Sequence, residues 1–142
     1  MKFLVMNGVN LNLTGLREQG VYGTETLEQI NAKIAAFAKN NGNSVDFYQS
    51  NIEGELVNKL HEAYLQGGYD GIVFNAGAFT HYSYALRDAI AAINIPVVEV
   101  HMSNVHAREE FRKHSVLSEV CKGVVCGFGW KSYVMAMVGL AD

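Results

Sequence analysis

Five short apolar runs, separated by segments with helical periodicity, constrain the fold of this chain more than any other feature. Each run has the length of a buried strand and is too short for an independent helix. The runs occupy residues 3–6, 45–48, 71–74, 95–100 and 123–128. Several are continuous rather than alternating with polar residues, which is typical of strands that are covered on both faces of a parallel sheet.

Helical spacing of apolar residues fills the intervals between these runs. A possible capping box of Thr26 and Gln29 begins the first helical segment. The periodic positions are Leu27, Ile30, Ile34 and Phe37, then Leu56, Leu60, Ala63 and Tyr64, then Leu86, Ala89, Ile90 and Ile93. Further helix is expected around residues 106–120 and 130–141. The alternation predicts an α/β, flavodoxin-like doubly wound three-layer sandwich with a five-stranded parallel sheet in the order 2-1-3-4-5.

Size and charge limit the class of protein. The 142 residues, 49% of them hydrophobic, can fill one core, so a single domain over residues 1–142 is expected. A net charge of −3 gives no general basic field and argues against nucleic-acid and anionic-membrane partners. Because no signal-peptide pattern and no bilayer-length apolar run occur, a cytoplasmic location is expected. Cys121 and Cys126 are expected to be buried, reduced thiols in the last strand.

The connection after the first strand is unusually long and carries reactive side chains. It runs roughly 16 residues from Gly8 to the next helix, whereas such loops usually have about 2 to 6 residues. Its glycines can serve as hinges of a lid that carries Arg17 and Tyr22. A phenol becomes a base near neutral pH only if a cation stabilises the phenolate, and Arg17 is a candidate for that cation. The alternative is a solvated loop whose Tyr22 packs on the surface.

A carboxylate and an imidazole stand at the end of the fourth strand. Glu99 and His101 are two residues apart and therefore share a face, with Ser103 next in that row if the strand continues. A carboxylate beside an imidazole orients the ring and favours the protonated form that a general acid requires. The alternative is a partly buried ion pair with a structural role.

Short polar residues also follow the third strand, near the same edge of the predicted sheet. Asn75, Thr80, His81 and Ser83 lie where this strand passes into a helix, whose N-terminal amides attract anions. We interpret them as a cradle for an anionic ligand. The alternative is that Thr80 or Ser83 only caps the helix, a role that does not account for His81.

Two arginines follow the fourth strand with a spacing of four residues. On the helix that is expected there, Arg108 and Arg112 would share one face, where a guanidinium can pair with a carboxylate of a ligand. Local pairing with Glu109 or Glu110 explains Arg108 equally well.

Taken together, these motifs closely resemble one family, the type II 3-dehydroquinate dehydratases, over nearly the whole chain. The resemblance is carried by Asn7-Gly-x-Asn10-Leu-Asn12, Gly15-x-Arg17-Glu18 with Tyr22-Gly23, Gln49-Ser50-Asn51 with Glu53-Gly54-Glu55, Asn75-Ala-Gly-Ala-x-Thr80-His81-x-Ser83, Ala85-Leu86-Arg87-Asp88-Ala89, Pro96-x-x-Glu99-Val100-His101-x-Ser103-Asn104 and Ala107-Arg108-Glu109-x-Phe111-Arg112. The first loop departs from the family's usual sequence, with Val9 and Gln19 where proline is usual and Thr14 where leucine is usual. These changes raise the expected ordering cost of lid closure and leave the reactive residues in place.

The resemblance implies a chemical role for each reactive residue. Tyr22, activated by Arg17, would remove a proton beside the ketone of 3-dehydroquinate and leave an enolate. Asn10 would stabilise the enolate oxygen through an ordered water. His101, oriented by Glu99, would then protonate the departing hydroxyl, so that an anti elimination of water gives 3-dehydroshikimate in the shikimate or quinate pathway.

The resemblance also implies how the substrate is held and how the chain assembles. The carboxylate and hydroxyls of the substrate would contact Asn75, His81, Ser103, Arg112 and the backbone at Met102. Asp88 would reach the site of a neighbouring subunit, within trimers grouped into a homododecamer. The resemblance implies no cofactor and no metal.

Three rival classes lack their own signatures. A receiver domain would require an acidic cluster after the first strand and a lysine at the end of the last strand. The first loop contains asparagines and Arg17 instead. No Gly-x-Gly-x-x-Gly opens a helix after the first strand, as a dinucleotide-binding protein requires. No His-Glu-x-x-His occurs, and His101 and His106 are a poor metal pair across a strand end.

Overall fold

A computed structural model describes residues 1–141, apart from the side chain of Tyr22. It contains one five-stranded parallel sheet in the order β2-β1-β3-β4-β5, as predicted. The strands are β1 (Lys2–Asn7), β2 (Ser44–Gln49), β3 (Gly71–Asn75), β4 (Val97–His101) and β5 (Gly123–Cys126). Strands β4 and β5 do not coincide with the apolar runs at 95–100 and 123–128. β4 begins and ends later than its run. β5 is shorter than its run and ends before Gly127, whose φ of 99° lies in the left-handed region.

Helices cover both faces of the sheet, which confirms the three-layer sandwich. The four that do so are α2 (Leu27–Asn40), α3 (Glu53–Gln66), α4 (Tyr84–Ala92) and α5 (Lys131–Ala141). The short α1 (Gln19–Tyr22) lies in the connection between β1 and α2. Alternate strand residues point to opposite faces. Leu4 and Phe74 pack with α3 and α4 on one face, whereas Phe3 and Val73 pack with α2 and α5 on the other. No helix in residues 1–141 is long and apolar enough to cross a membrane.

Two helix starts follow directly from short polar side chains. The Oγ1 of Thr26 accepts the N–H of Gln29, and the Gln29 side chain accepts the N–H of Thr26, which confirms the capping box of α2. Ser83 caps α4 by accepting the N–H of Leu86, so for this serine the alternative of a helix cap is the correct one.

The helix predicted around residues 106–120 is wrong. The connection from β4 to β5 instead contains three short 3-10 turns, Val105–Ala107, Glu110–Lys113 and Ser118–Val120. Arg108 is extended between the first two. Short polar side chains within the connection bond to nearby backbone N–H groups, as Asn104 does with His106 and Ser115 with Leu117. Such local bonds compete with helix formation.

The prediction for the two cysteines is also partly wrong. Cys126 ends β5, but Cys121 lies before it, and both are free and half-buried rather than buried. Burial and the neighbouring Glu99 charge raise the pKa of the Cys121 thiol to about 12. This thiol is therefore protonated and unreactive at neutral pH.

Candidate active site

An open cleft lies at the carboxyl edge of the sheet, where Asn75 ends β3 and His101 ends β4. Its empty volume, open solvent included, is about 540 Å³. Eight residues that were predicted from the sequence line it: Asn10, Arg17, Asn75, His81, His101, Met102, Ser103 and Arg112. Parallel strands thus bring together residues that are far apart in the chain, as the predicted topology requires.

The predicted pair of Glu99 and His101 is present and buried, with exposed fractions of 3% and 6%. Nε2 of His101 lies 2.6 Å from Oε2 of Glu99. The other carboxylate oxygen, Oε1, accepts hydroxyl hydrogens from Ser115 at 2.8 Å and Ser118 at 2.6 Å. Glu99 thus lies behind His101, and Nδ1 is the ring nitrogen that remains for a ligand in the cleft.

The environment of Glu99 keeps its carboxylate ionised. Burial alone would raise the pKa of this group. The hydrogen bonds from His101 and Ser118, the charge on His101 and the hydrogen bond from Ser115 outweigh burial and lower the pKa below its ordinary value of 4.5. A charged carboxylate is the partner that a proton-donating imidazole needs.

His81 also lines the cleft. Its Nδ1 is 2.8 Å from the carbonyl oxygen of His114, and since a carbonyl can only accept, Nδ1 carries the hydrogen. Burial, with smaller contributions from the charges on His101 and Arg112, lowers the pKa of His81, although the bond to His114 opposes this. The ring is therefore neutral near pH 7, and its Nε2 is an acceptor suited to a hydroxyl group of a ligand.

Asn75 is fixed by a buried amide–phenol chain. Its Nδ2 donates to the hydroxyl of Tyr133 at 2.9 Å, and this hydroxyl donates to Oδ1 of Asn7 at 2.6 Å. Oδ1 of Asn75 accepts the N–H of Gly77 at 3.2 Å. Tyr133 has no place in the sequence motifs, and Asn7 has one without a role, because this hydrogen-bond network joins β1, β3 and α5 and no local pattern indicates it.

The loop after β1 brings Asn10 and Arg17 to the cleft. Asn10 adopts a left-handed conformation with φ of 67°, and its N–H donates to Oδ1 of Asn51 at 2.8 Å. Its carbonyl oxygen lies 3.4 Å from Nε of Arg17, whose guanidinium also contacts the carboxylate of Glu18 at 2.7 Å. The side chain of Tyr22, the predicted base, lies outside the described residues.

Three of the chain's four arginines line the cleft, namely Arg17, Arg108 and Arg112. Arg108 and Arg112 do so without sharing a helical face, so the predicted helical arrangement is wrong although both reach the site. Arg112 is 3.2 Å from Glu109, and Arg108 is 3.9 Å from the same side chain, which also bears out the local pairing considered for Arg108. Among the described residues that line the cleft none is acidic, so a negatively charged ligand is favoured there.

One predicted site residue, Asp88, lies away from the cleft. Asp88 is exposed on α4 and does not line the cleft of its own chain, so its role in a neighbouring subunit remains a prediction. In the described part of the chain, no three His, Cys, Asp or Glu side chains are arranged to hold a metal ion.

A flavodoxin-like sheet whose carboxyl edge presents an imidazole to a cationic cleft, with a buried carboxylate behind it, defines an acid–base enzyme of the α/β class. The family model described as "Dehydroquinase class II" matches residues 1–141. The chain belongs to the class II dehydroquinase family.

Individual relatives agree with this assignment. The 3-dehydroquinate dehydratase of Bacillus pumilus is 57% identical over 135 residues, which cover 95% of this chain and 90% of that protein. The enzyme of the same name from Pelobacter propionicus is 50% identical over 141 residues, covering 99% and 94%. The crystal structure of the type II dehydroquinase from Butyrivibrio crossotus matches with a TM-score of 0.97 at 50% identity, covering 100% of this chain and 98% of that chain.

Proposed function

We propose that this chain is a hydro-lyase that removes water from 3-dehydroquinate by anti elimination and forms 3-dehydroshikimate. Membership of the dehydroquinase family and the names of its relatives support the reaction. The observation that carries the proposal is the buried Glu99–His101 pair, which opens on a cleft lined by three arginines. Such a cleft suits a substrate with a carboxylate and a hydroxyl leaving group.

The first step is removal of a proton from the carbon beside the ketone. We assign it to the phenolate of Tyr22, with Arg17 stabilising the phenolate charge. Arg17 is already held at the cleft by the Asn10 carbonyl and by Glu18. The bonding electrons of the C–H bond move toward the ketone and give an enolate, which Asn10 stabilises through a water.

The second step is departure of the hydroxyl group as water. We assign proton donation to Nδ1 of His101, since Nε2 is engaged by Glu99. As the enolate electrons return to form the new carbon–carbon double bond, the carbon–oxygen bond breaks and His101 supplies the proton to the leaving oxygen. The ionised Glu99 stabilises the imidazole in its proton-donating orientation.

The remaining cleft residues are assigned to substrate binding. Arg112 pairs with the carboxylate, and Nε2 of His81, Asn75 and the hydroxyl of Ser103 contact the substrate's polar groups. The carbonyl of Met102 already accepts the N–H of Gly129 at 3.0 Å, so the Met102 N–H is the backbone group that we assign to the substrate. No cofactor has a role in this scheme.

The proposal also covers the domain, the assembly, the cellular location and the pathway of the enzyme. We propose that residues 1–142 form one catalytic domain, that the chains assemble as trimers within a homododecamer, and that Asp88 contributes to the site of a neighbour. We also place the enzyme in the cytoplasm and its reaction in the shikimate or quinate pathway.

The test is direct, because the product contains a conjugated enone that absorbs in the ultraviolet and the substrate does not. Purified protein with 3-dehydroquinate is expected to produce this absorbance. His101→Ala should abolish it, whereas His61→Ala, which removes an exposed histidine on α3, should leave it unchanged. Binding of 3-dehydroquinate without product formation by the wild-type protein would show a binding protein and refute the proposal.

A further inference from the structure

The two carboxylate oxygens of Glu99 have different hydrogen-bond partners. Oε2 faces His101, whereas Oε1 accepts two serine hydroxyls from the connection between β4 and β5. Ser115 and Ser118 are 16 and 19 residues away from Glu99 in the chain. Neither serine lines the cleft.

The hydrogen of the Ser115 hydroxyl has only one described direction to take. Its Oγ accepts the N–H groups of Leu117 at 3.0 Å and Ser118 at 3.1 Å, which occupy its acceptor positions. A hydroxyl has one hydrogen and two lone pairs, so the hydrogen is directed at Glu99. Ser115 is therefore an oriented donor to the carboxylate rather than a freely rotating hydroxyl.

The segment that carries both serines is itself anchored to the sheet side of the site. The N–H of Val116 donates to the carbonyl of Thr80 at 2.9 Å, and the carbonyl of Val116 accepts from the Arg87 guanidinium at 2.9 Å. Val116 is buried and packs in the core with Leu117. The two hydroxyls are thus held from a fixed backbone position.

We propose that Ser115 and Ser118 are positioning residues for the acid step, which clamp Oε1 of Glu99 so that Oε2 is presented to His101 and Nδ1 of His101 faces the substrate. The inference rests on the proposed dehydratase function. Loss of the clamp leaves Glu99 free to rotate or to take up a proton, and the imidazole then loses its fixed orientation.

Ser118→Ala is the sharper variant, because Ser115 also caps a turn. It should lower kcat about tenfold and change KM less than about twofold. The substitution removes a hydrogen bond to a charged group behind the cleft, and it leaves all contacts to the substrate in place. The acidic limb of the kcat profile should move to higher pH, because the carboxyl group of Glu99 then protonates more easily. Ser118→Thr keeps a hydroxyl and should recover most of kcat.

The chain offers a matched control in Ser50. Its hydroxyl donates to the carboxylate of Glu55, as the Ser118 hydroxyl does to Glu99, and it also accepts the N–H of Ile52, as Ser115 accepts the N–H of Leu117. Neither Ser50 nor Glu55 lines the cleft. Ser50→Ala should lower the unfolding temperature as Ser118→Ala does, without moving the kcat profile. Equal kcat profiles for wild type, Ser50→Ala and Ser118→Ala would overturn the inference.

A second readout needs no substrate. In protein labelled with ¹⁵N at histidine, the Nε2 proton of His101 bonded to a buried carboxylate should resonate far downfield. Ser118→Ala should shift or broaden this signal, and Ser50→Ala should not. An unchanged signal in Ser118→Ala would refute the clamp even if the wild-type protein had no activity on 3-dehydroquinate, whereas absence of that activity alone bears on the proposed function.

Discussion

Replacement of Glu99 by glutamine tests the central pair with almost no change in side-chain shape. The carboxylate accepts three hydrogen bonds, one at 2.6 Å from His101 and two from serines at 2.8 and 2.6 Å. If the amide oxygen stays with the serines, the amide nitrogen must face Nε2 of His101. Two donors cannot face each other, so the imidazole is driven into the other tautomer.

The size of the effect follows from these contacts. Hydrogen bonds to charged groups contribute about 1.5–3 kcal/mol, against about 0.5–1.5 kcal/mol for neutral ones. Loss of the charge at three contacts and reversal of the tautomer together predict a fall in kcat of about 10² to 10⁴-fold. KM should change little, because Glu99 lies behind His101 and does not line the cleft.

The same substitution has a predicted signature in stability. The folded-state pKa of Glu99 is lowered from 4.5, so its ionised form adds stability above pH 4.5 that is lost as the pH falls through the folded-state pKa. In urea unfolding at equal protein concentration, the wild type should therefore lose more stability than Glu99→Gln between pH 7 and acid pH. Glu55→Gln, which alters the matched serine–carboxylate pair, controls for a general loss of charge.

The refuting results are specific. If Glu99→Gln keeps kcat within about threefold of wild type while folding normally, the carboxylate does not orient the acid. If the variant and the wild type lose stability equally on acidification, the carboxylate of Glu99 is not stabilised in the folded protein in the way that its contacts indicate.

Three further predictions address the other assigned steps. In deuterated water, His101→Ala should still exchange the substrate proton beside the ketone while forming almost no product, and Tyr22→Phe should lose both activities; exchange retained in Tyr22→Phe would contradict the assigned base. Arg17→Ala should depress kcat most at neutral pH and recover partly as the pH approaches about 10, where an unassisted phenol ionises, whereas a parallel drop at all pH values would mean that Arg17 only positions substrate. Because the described cleft residues include no lysine, borohydride added with substrate should leave activity intact, and loss of activity with a mass increase on a lysine would reveal an imine intermediate.

The sheet and the central pair could be predicted because their signals are local and periodic. Continuous apolar runs mark strands that are buried on both faces, and the order 2-1-3-4-5 was predicted as that of a flavodoxin-like fold. The period of two along a strand places Glu99 and His101 on one face, and the structure joins them at 2.6 Å. His81 was found because it lies in the connection that follows β3, a neighbouring strand of the same sheet.

The groups that support the site could not be predicted, because their contacts are long-range and made by common residue types. Tyr133 bonds to Asn75 across 58 residues and to Asn7 across 126. In the sequence, nothing distinguishes Ser115 and Ser118 from ordinary polar residues of a segment that was predicted to be helical. Only the three-dimensional position of Glu99 gives their hydroxyls a partner.

The wrong prediction of a helix over residues 106–120 has a physical reason that connects the fold to the site. In a helix, the carbonyl of His114 would accept the N–H of Ser118. In the folded protein this carbonyl instead accepts Nδ1–H of His81, and the N–H of Ser118 donates to the hydroxyl of Ser115. A regular helix would engage both groups in its own backbone hydrogen bond. Irregular backbone is therefore required here, because it lets one short segment fix the tautomer of His81 and also hold the carboxylate that orients His101.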